Sequence, residues 1–253
     1  MDLTNRSALV TGSSRGIGAA IARKLASSGA EVLVHGNKNS STASQVVEQI
    51  KQTGGRASLV LADFSSPEAV PALFDSIGDK AAHLDILVNN AGILAGGALE
   101  KLEYAQISRV LAVNISSLML TTREFVRRSS TEQGRIINIS SHAGRVPGLN
   151  ASLYSASKAA VDALTRCWAF EFGGRGITVN SVAPGMIDTE MSREGIQNRD
   201  VVLRGVALKR MGQVDDIADV VAFLACSESR WITGEVIGVT GGQVAGATIL
   251  RTF

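Results

Sequence analysis

The sequence predicts an α/β protein with one doubly wound, mostly parallel sheet of about seven strands and helices on both faces. Three observations carry this. Short aliphatic runs alternate along the 253 residues with longer stretches whose apolar residues fall at helical spacing. Those runs are continuous rather than alternating, as in strands buried on both faces. No composition shift or flexible linker interrupts them, so residues 1–253 read as a single domain.

The strands are expected at Ala8–Val10, Val32–Val34, Leu59–Leu61, Ile86–Val88, Ile136–Ile139, Ile177–Val182 and Val236–Val239. Helices are expected near 17–28, 41–53, 67–77, 104–129, 152–172 and 215–226, so each crossover is long enough to return right-handed into a parallel sheet. The stretch 185–213, with glycines at 185, 195, 205 and 212, carries no element; a loop of that length is either functional, such as a substrate lid, or conceals short helices.

Composition narrows the function classes. Hydrophobic residues make up 45%, ample for a buried core, and 25 basic residues stand against 23 acidic ones without blocks of either sign. That argues against nucleic acid as a partner. No apolar run approaches the roughly 20 residues of a membrane span, and the N-terminus lacks an apolar signal core. The chain is expected to be cytoplasmic, with no membrane association. Its two cysteines, Cys167 and Cys226, read as buried free thiols. His35, His83 and His142 form no ligand spacing, so no metal is expected; His142 is placed at the border of a substrate pocket.

Directly after the first strand comes TGSSRGIGAAIARKL, with glycines at 12, 16 and 18 at the start of a helix. Glycine allows close backbone approach, and a helix start offers unpaired N–H groups and the positive end of the dipole. A pyrophosphate fits such a turn, although a merely structural turn has the same look. The spacing departs from the general G-x-G-x-x-G fingerprint and lacks the Gly-Lys-Ser/Thr of a P-loop. Its position is the stronger argument, because open parallel sheets bind ligands at their carboxyl edge.

Farther on, LYSASKAA puts Tyr154 and Lys158 one helical turn apart on one face. A tyrosine beside a solvated lysine has the same spacing, so the pair alone decides nothing. A free phenol, with a pKa near 10, is a poor base at neutral pH, and a neighbouring cation lowers that value. Ser141 lies 13 residues before Tyr154, just past the fifth strand. Asn114 sits inside a long helix, where asparagine is not a favoured former.

Thr11 to Gly18, Asn89-Asn90-Ala91-Gly92, Asn114, Ser141, Tyr154 to Lys158 and Pro184-Gly185 stand in an order and spacing that resemble the short-chain dehydrogenase/reductase family, nearest to its 3-oxoacyl-[acyl-carrier-protein] reductase type. The resemblance runs from the first strand to Gly241-Gly242. It implies a Rossmann-like fold and an oxidoreductase moving a hydride between a nicotinamide and a carbonyl or secondary alcohol. Tyr154 would exchange the proton, Lys158 would hold the nicotinamide ribose and tune the phenol, Ser141 would polarise the carbonyl, and Asn114 would bend its helix and hold a proton relay to solvent. Cofactor contacts are implied for Gly12, Ser14, Arg15, Gly16, Ile17, Gly18, Asn37, Lys38, Asp63, Phe64, Asn89, Asn90, Ala91, Gly92, Tyr154, Lys158, Pro184, Gly185, Ile187 and Thr189. It further implies a homo-oligomer, tetramer or dimer; the apolar C-terminal GATILRTF could dock on a neighbouring subunit. Two other readings compete: a dinucleotide sensor without turnover, and a structural subunit of a mixed oligomer.

The dinucleotide is expected to be NADP(H) rather than NAD(H). An acidic residue about 20 positions after the glycine turn ordinarily binds the adenosine ribose. Here the matching position is Gly36, followed by Asn37 and Lys38, with Arg15 in the turn. Those cations suit a 2′-phosphate. Met186, Ile187 and Met191 are read as an apolar wall, with core packing as the alternative, and Trp168 and Phe172 as core or subunit-contact residues.

Overall fold

The computed structural model describes residues 1–37, 41–193 and 199–243. Its seven strands are β1 (Ser7–Val10), β2 (Glu31–Gly36), β3 (Arg56–Leu61), β4 (Ile86–Asn89), β5 (Arg135–Ile139), β6 (Thr178–Pro184) and β7 (Val236–Val239). They form one parallel sheet in the order β3-β2-β1-β4-β5-β6-β7. The strand order reverses between β1 and β4, which opens a crevice at their carboxyl ends.

Strand residues alternate between two cores, one on each face. Ala8, Val10, Val32, Val34, Ile86 and Val88 face a layer made by α1 (Gly16–Ser27), α2 (Ser41–Gln52) and α9 (Val214–Ala225). Leu9, Leu33, Leu87 and Ile136 face α3 (Ala69–Ser76), α5 (Ser117–Arg128) and α6 (Ser152–Gly173). Period-two alternation within continuous apolar runs is what sandwiching between two helical layers requires. Phe74 and Phe125, both fully buried, fill the second core.

The expected elements are present, with instructive differences. β3 begins at Arg56 rather than Leu59: it is an edge strand with only Val60 fully buried, so its first half carries no aliphatic signal. The helix expected over 104–129 is three pieces: α4 (Tyr104–Leu111), a π-helical turn over Ala112–Ser116, and α5. Asn114 lies in that turn, where the regular α-helical ladder is interrupted. Segment 185–213 contains two short helices, α7 (Glu190–Arg193) and α8 (Arg199–Arg204), with 194–198 outside the described residues. Cys226 is buried as expected, but Cys167 is exposed on the outer face of α6. Trp168 is buried, and Phe172 packs partly buried against the same core. GATILRTF lies outside the described residues. No helix among the described residues is long and apolar enough to cross a membrane.

A buried polar chain joins sheet and helices beneath the crevice. Asn89 Nδ2 donates to Thr122 Oγ1 (3.0 Å) and Asn138 Oδ1 (2.9 Å), and Asn89 Oδ1 accepts from Thr121 Oγ1 (2.6 Å). Asn138 Nδ2 donates in turn to Thr165 Oγ1 (2.9 Å). This links β4, β5, α5 and α6 through groups that have no water to fall back on. Asn89→Ala therefore leaves buried partners unpaired and costs about 1–3 kcal/mol, read by chemical denaturation.

Candidate active site

The glycine turn is held against the segment after β4. Gly12 has φ +62°, and a Cβ there would stand 2.8 Å from Ala91 Cα; one at Gly18 would stand 2.4 Å from both Asn90 Nδ2 and Gly12 O. Neither position admits a side chain without displacing backbone. Thr11 Oγ1 donates to Val88 O (3.2 Å) and accepts from the N–H groups of Asn90 (2.9 Å) and Ala91 (3.0 Å). Asn90 Nδ2 donates back to Thr11 O (2.9 Å) and Gly12 O (3.0 Å). Two adjacent strand ends thus share one hydrogen-bonded unit.

That unit floors a cleft of about 690 Å³. Of the residues expected to contact a cofactor, Gly12, Ser14, Arg15, Gly16, Ile17, Gly18, Asn37, Asp63, Phe64, Asn90, Ala91, Gly92, Tyr154, Lys158, Pro184, Gly185, Ile187 and Thr189 all line it. Asn89 does not; it points between β4 and α5, where its amide is consumed by the polar chain described above. Strand parity explains this, since Asn89 follows Leu87 onto the face of the second core while Asn90 turns toward the glycine turn. Lys38 lies outside the described residues. Arg15 is ion-paired with Glu190 at 2.7 Å, both largely exposed, so this pair reaches from the glycine turn to α7.

Ser141, Tyr154 and Lys158 open on the same cleft. Ser141 follows β5 in extended conformation and caps a single 3₁₀ turn, accepting from Ala143 N–H at 3.2 Å. The neighbouring Ser140 is buried against β6, its N–H on Val182 O. That turn presses on α6: a Cβ at Gly144 would stand 2.9 Å from the Lys158 carbonyl carbon and Ala159 nitrogen. Arg145 Nη2 bonds the Val236 carbonyl, and Arg145 Nε lies 3.9 Å from buried Asp162, one turn beyond Lys158. Asp162 also accepts from Ser181 Oγ at 3.2 Å. Sequence reasoning missed Arg145 and Asp162; Tyr154, Lys158 and Asp162 at i, i+4 and i+8 on one helix face was the available signal.

Lys158 is 6% exposed, and its Nζ donates to Ile139 O at 2.9 Å, 5.8 Å from the Tyr154 ring centroid. Burial pushes the ammonium down to about 8, opposed by the nearby Asp162 carboxylate. The Tyr154 phenol is raised above its ordinary value by burial, with a hydrogen bond from Ser141 working against the shift. The expected lowering of the phenol by Lys158 is therefore not met in this geometry. Nζ is turned to a strand carbonyl, and desolvation outweighs its field. A protonated phenol is the right state for giving a proton away.

Asn114 is 1% exposed and sits behind the cleft. Its Oδ1 accepts from Ile93 N–H (2.8 Å), and its Nδ2 donates to Ile93 O (3.0 Å) and Ser157 Oγ (3.1 Å). A Cβ at Gly92 would stand 3.4 Å from Lys158 Nζ and 3.5 Å from Asn114 Oδ1, so lysine and asparagine flank one point. π-turns often serve to place such a side chain. His142, Met186 and Met191 line the cleft, as expected.

A family model described as "Enoyl-(Acyl carrier protein) reductase" matches residues 12–243. The chain belongs to the short-chain dehydrogenase/reductase family. It is 40% identical to versicolorin reductase stcU of Emericella nidulans, over 95% of this chain and 96% of that protein. It is 37% identical to the 3-oxoacyl-[acyl-carrier-protein] reductase FabG of Vibrio cholerae, over 96% and 99%. Among solved structures, the angucycline C-6 ketoreductase LanV with bound NADP superposes with a TM-score of 0.90 at 38% identity, over 99% of this chain and 98% of that one.

The Lys158 shift fixes a pH window. In the unfolded chain Lys158 keeps its proton to about 10.5, but in the fold only to about 8. The buried charge costs stability below about pH 8; between 8 and 10.5 the unfolded state binds more protons, so the Lys158 contribution to stability rises with pH. Turnover that needs the ammonium runs the other way. We expect kcat/KM for reduction to fall through an alkaline limb near pH 8, and Lys158→Met to lower the rate, weaken cofactor binding and abolish that limb. A limb retained by the methionine variant would assign it to another group.

Proposed function

We propose that this short-chain dehydrogenase/reductase is an NADP(H)-dependent reductase of small-molecule ketones, with Tyr154 as the proton donor. The observation that carries this is that Ser141, Tyr154 and Lys158 open on the same cleft as the glycine turn. The turn fits a dinucleotide: Gly12 and Gly18 have no room for a side chain, and α1 begins at Gly16, its first residues Gly16, Ile17 and Gly18 lining the cleft. NADPH, when bound, supplies the hydride. Ser141 donates to the carbonyl oxygen and holds it near the phenol. Tyr154 gives its proton to that oxygen as the carbon receives the hydride, which turns C=O into CH–OH. Lys158 steadies the resulting phenolate and holds the cofactor ribose, and the Lys158–Asn114 side of the cleft is where a proton returns to the phenol.

NADP(H) is preferred over NAD(H) on this reading because β2 ends at Gly36 without a carboxylate, Arg15 lies in the glycine turn, and Lys38 follows Gly36 by two positions in the sequence, cations that suit a 2′-phosphate. The Arg15–Glu190 pair is exposed and weak, so a phosphate competes for the guanidinium. LanV, bound to NADP, supports the same assignment. The substrate end is walled by Ile93, Leu94, Val113, Val146, Met186 and Met191, which suits a ketone with apolar flanks. A 3-oxoacyl thioester and a polycyclic aromatic ketone both fit that description. The protein works as a homo-oligomer on this reading: Phe170 and Trp231 are 92% and 96% exposed, and a second copy of the chain would cover them.

Two experiments check the assignment. Tyr154→Phe keeps NADPH binding and loses turnover by about two decades or more; near-normal turnover removes Tyr154 from the chemistry. In a panel of acetoacetyl thioesters and cyclic aromatic ketones followed by NADPH absorbance, the wild type uses NADPH better than NADH in kcat/KM. The preference shrinks in the Arg15→Ala, Lys38→Ala double variant and with added salt. Equal use of NADH by the wild type would overturn the cofactor assignment.

A further inference from the structure

His35 is 4% exposed inside β2, yet it reaches the cleft wall. Its Nδ1 accepts the Gly12 N–H at 2.9 Å, and its Nε2 faces Ala62 O at 3.1 Å. A carbonyl requires a donor, so the proton sits on Nε2 and the ring is neutral. Burial keeps it so, pushing the imidazole down to about 4. The backbone repeats the tie: His35 N–H donates to Ser13 Oγ, and Ser13 N–H donates to His35 O, both at 2.9 Å. The ring stacks on Phe64, with centroids 4.2 Å apart and planes inclined by 18°.

One imidazole therefore joins three separate stretches of the carboxyl edge: the glycine turn, the end of β2 and the loop after β3. These surround the region where β2 ends, which in a dinucleotide fold faces the adenosine ribose. The Gly12 N–H is spent on the ring, which fixes the left-handed conformation of that glycine and aims the rest of the turn. Phe64, buried in the second core, is backed by the ring where it lines the cleft.

We propose that His35 is a positioning residue for the adenosine half of the cofactor: by clamping Gly12 to Ala62 and backing Phe64, it sets dinucleotide affinity without acting in the transfer step. This rests on the dinucleotide assignment above. The test compares His35→Phe, which keeps ring volume and stacking but loses both hydrogen bonds, with His35→Asn, whose carbonyl can still accept from Gly12. NADPH and the fragment 2′-phospho-ADP-ribose are titrated into each protein, and kcat is measured at saturating NADPH. Affinity for both ligands falls about tenfold in the phenylalanine variant and less in the asparagine variant, as loss of two and one hydrogen bonds requires, while kcat at saturation stays within about twofold. Unchanged affinities, or a fall in kcat with affinity intact, overturn the proposal. If His35→Phe does not fold, the asparagine variant and His35→Gln, measured on the same two ligands, decide it. A wild type that binds neither ligand overturns the dinucleotide assignment and this proposal with it, whereas a wild type that binds and variants that match it sink the proposal alone.

Discussion

The site depends on the contact between the glycine turn after β1 and the segment after β4. The two strands are neighbours where the strand order reverses, so their ends must diverge around any ligand and still be tied to each other. Thr11 and Asn90 supply the tie with five hydrogen bonds, and the bare Cα atoms of Gly12 and Gly18 supply the space. With those two ends locked, α1 starts at a fixed place, with its first residues lining the cleft. Everything on the other wall, from Ser141 to Lys158, is then positioned relative to a fixed floor.

The opposite wall is built by burial and pays for it in electrostatics. Lys158 is buried with one carbonyl partner, so its charge is held weakly, and the Asp162 carboxylate offsets part of that cost. The same desolvation keeps Tyr154 protonated. The two shifts move in opposite senses for one reason, the disfavouring of charge in a low-dielectric pocket. The arrangement suits a proton donor awaiting an alkoxide-like partner better than it suits a base at rest.

Much of this was legible in the sequence, and the exceptions have physical causes. Aliphatic runs gave away five strands nearly whole because both faces of the sheet are buried, whereas β2 showed only its centre, Val32–Val34 of Glu31–Gly36, and β3, on an edge, hid its start in Arg56 and Ser58. The Tyr154–Lys158 spacing and the glycine turn are local patterns and were readable as such. Asn89 was misplaced among the cofactor contacts although its parity with Leu87 already turned it toward the second core. His35 and Glu190 could not be read: their partners lie 23 and 175 residues away, and no periodicity links them. The acidity of Tyr154 went the unexpected way because spacing along a helix fixes proximity, while the direction in which Nζ points depends on the Ile139 carbonyl of another element.

The measurement that bears most directly on this account is NADPH titration of Gly18→Ala. A methyl group there meets Asn90 Nδ2 and Gly12 O at 2.4 Å, so the turn and the β4 segment must part. The account predicts that affinity falls by about tenfold or more while the circular dichroism and cooperative unfolding of the domain persist, since helix interiors accept alanine readily. Wild-type affinity in that variant would contradict it, because the site would then not depend on the close contact of those two strand ends.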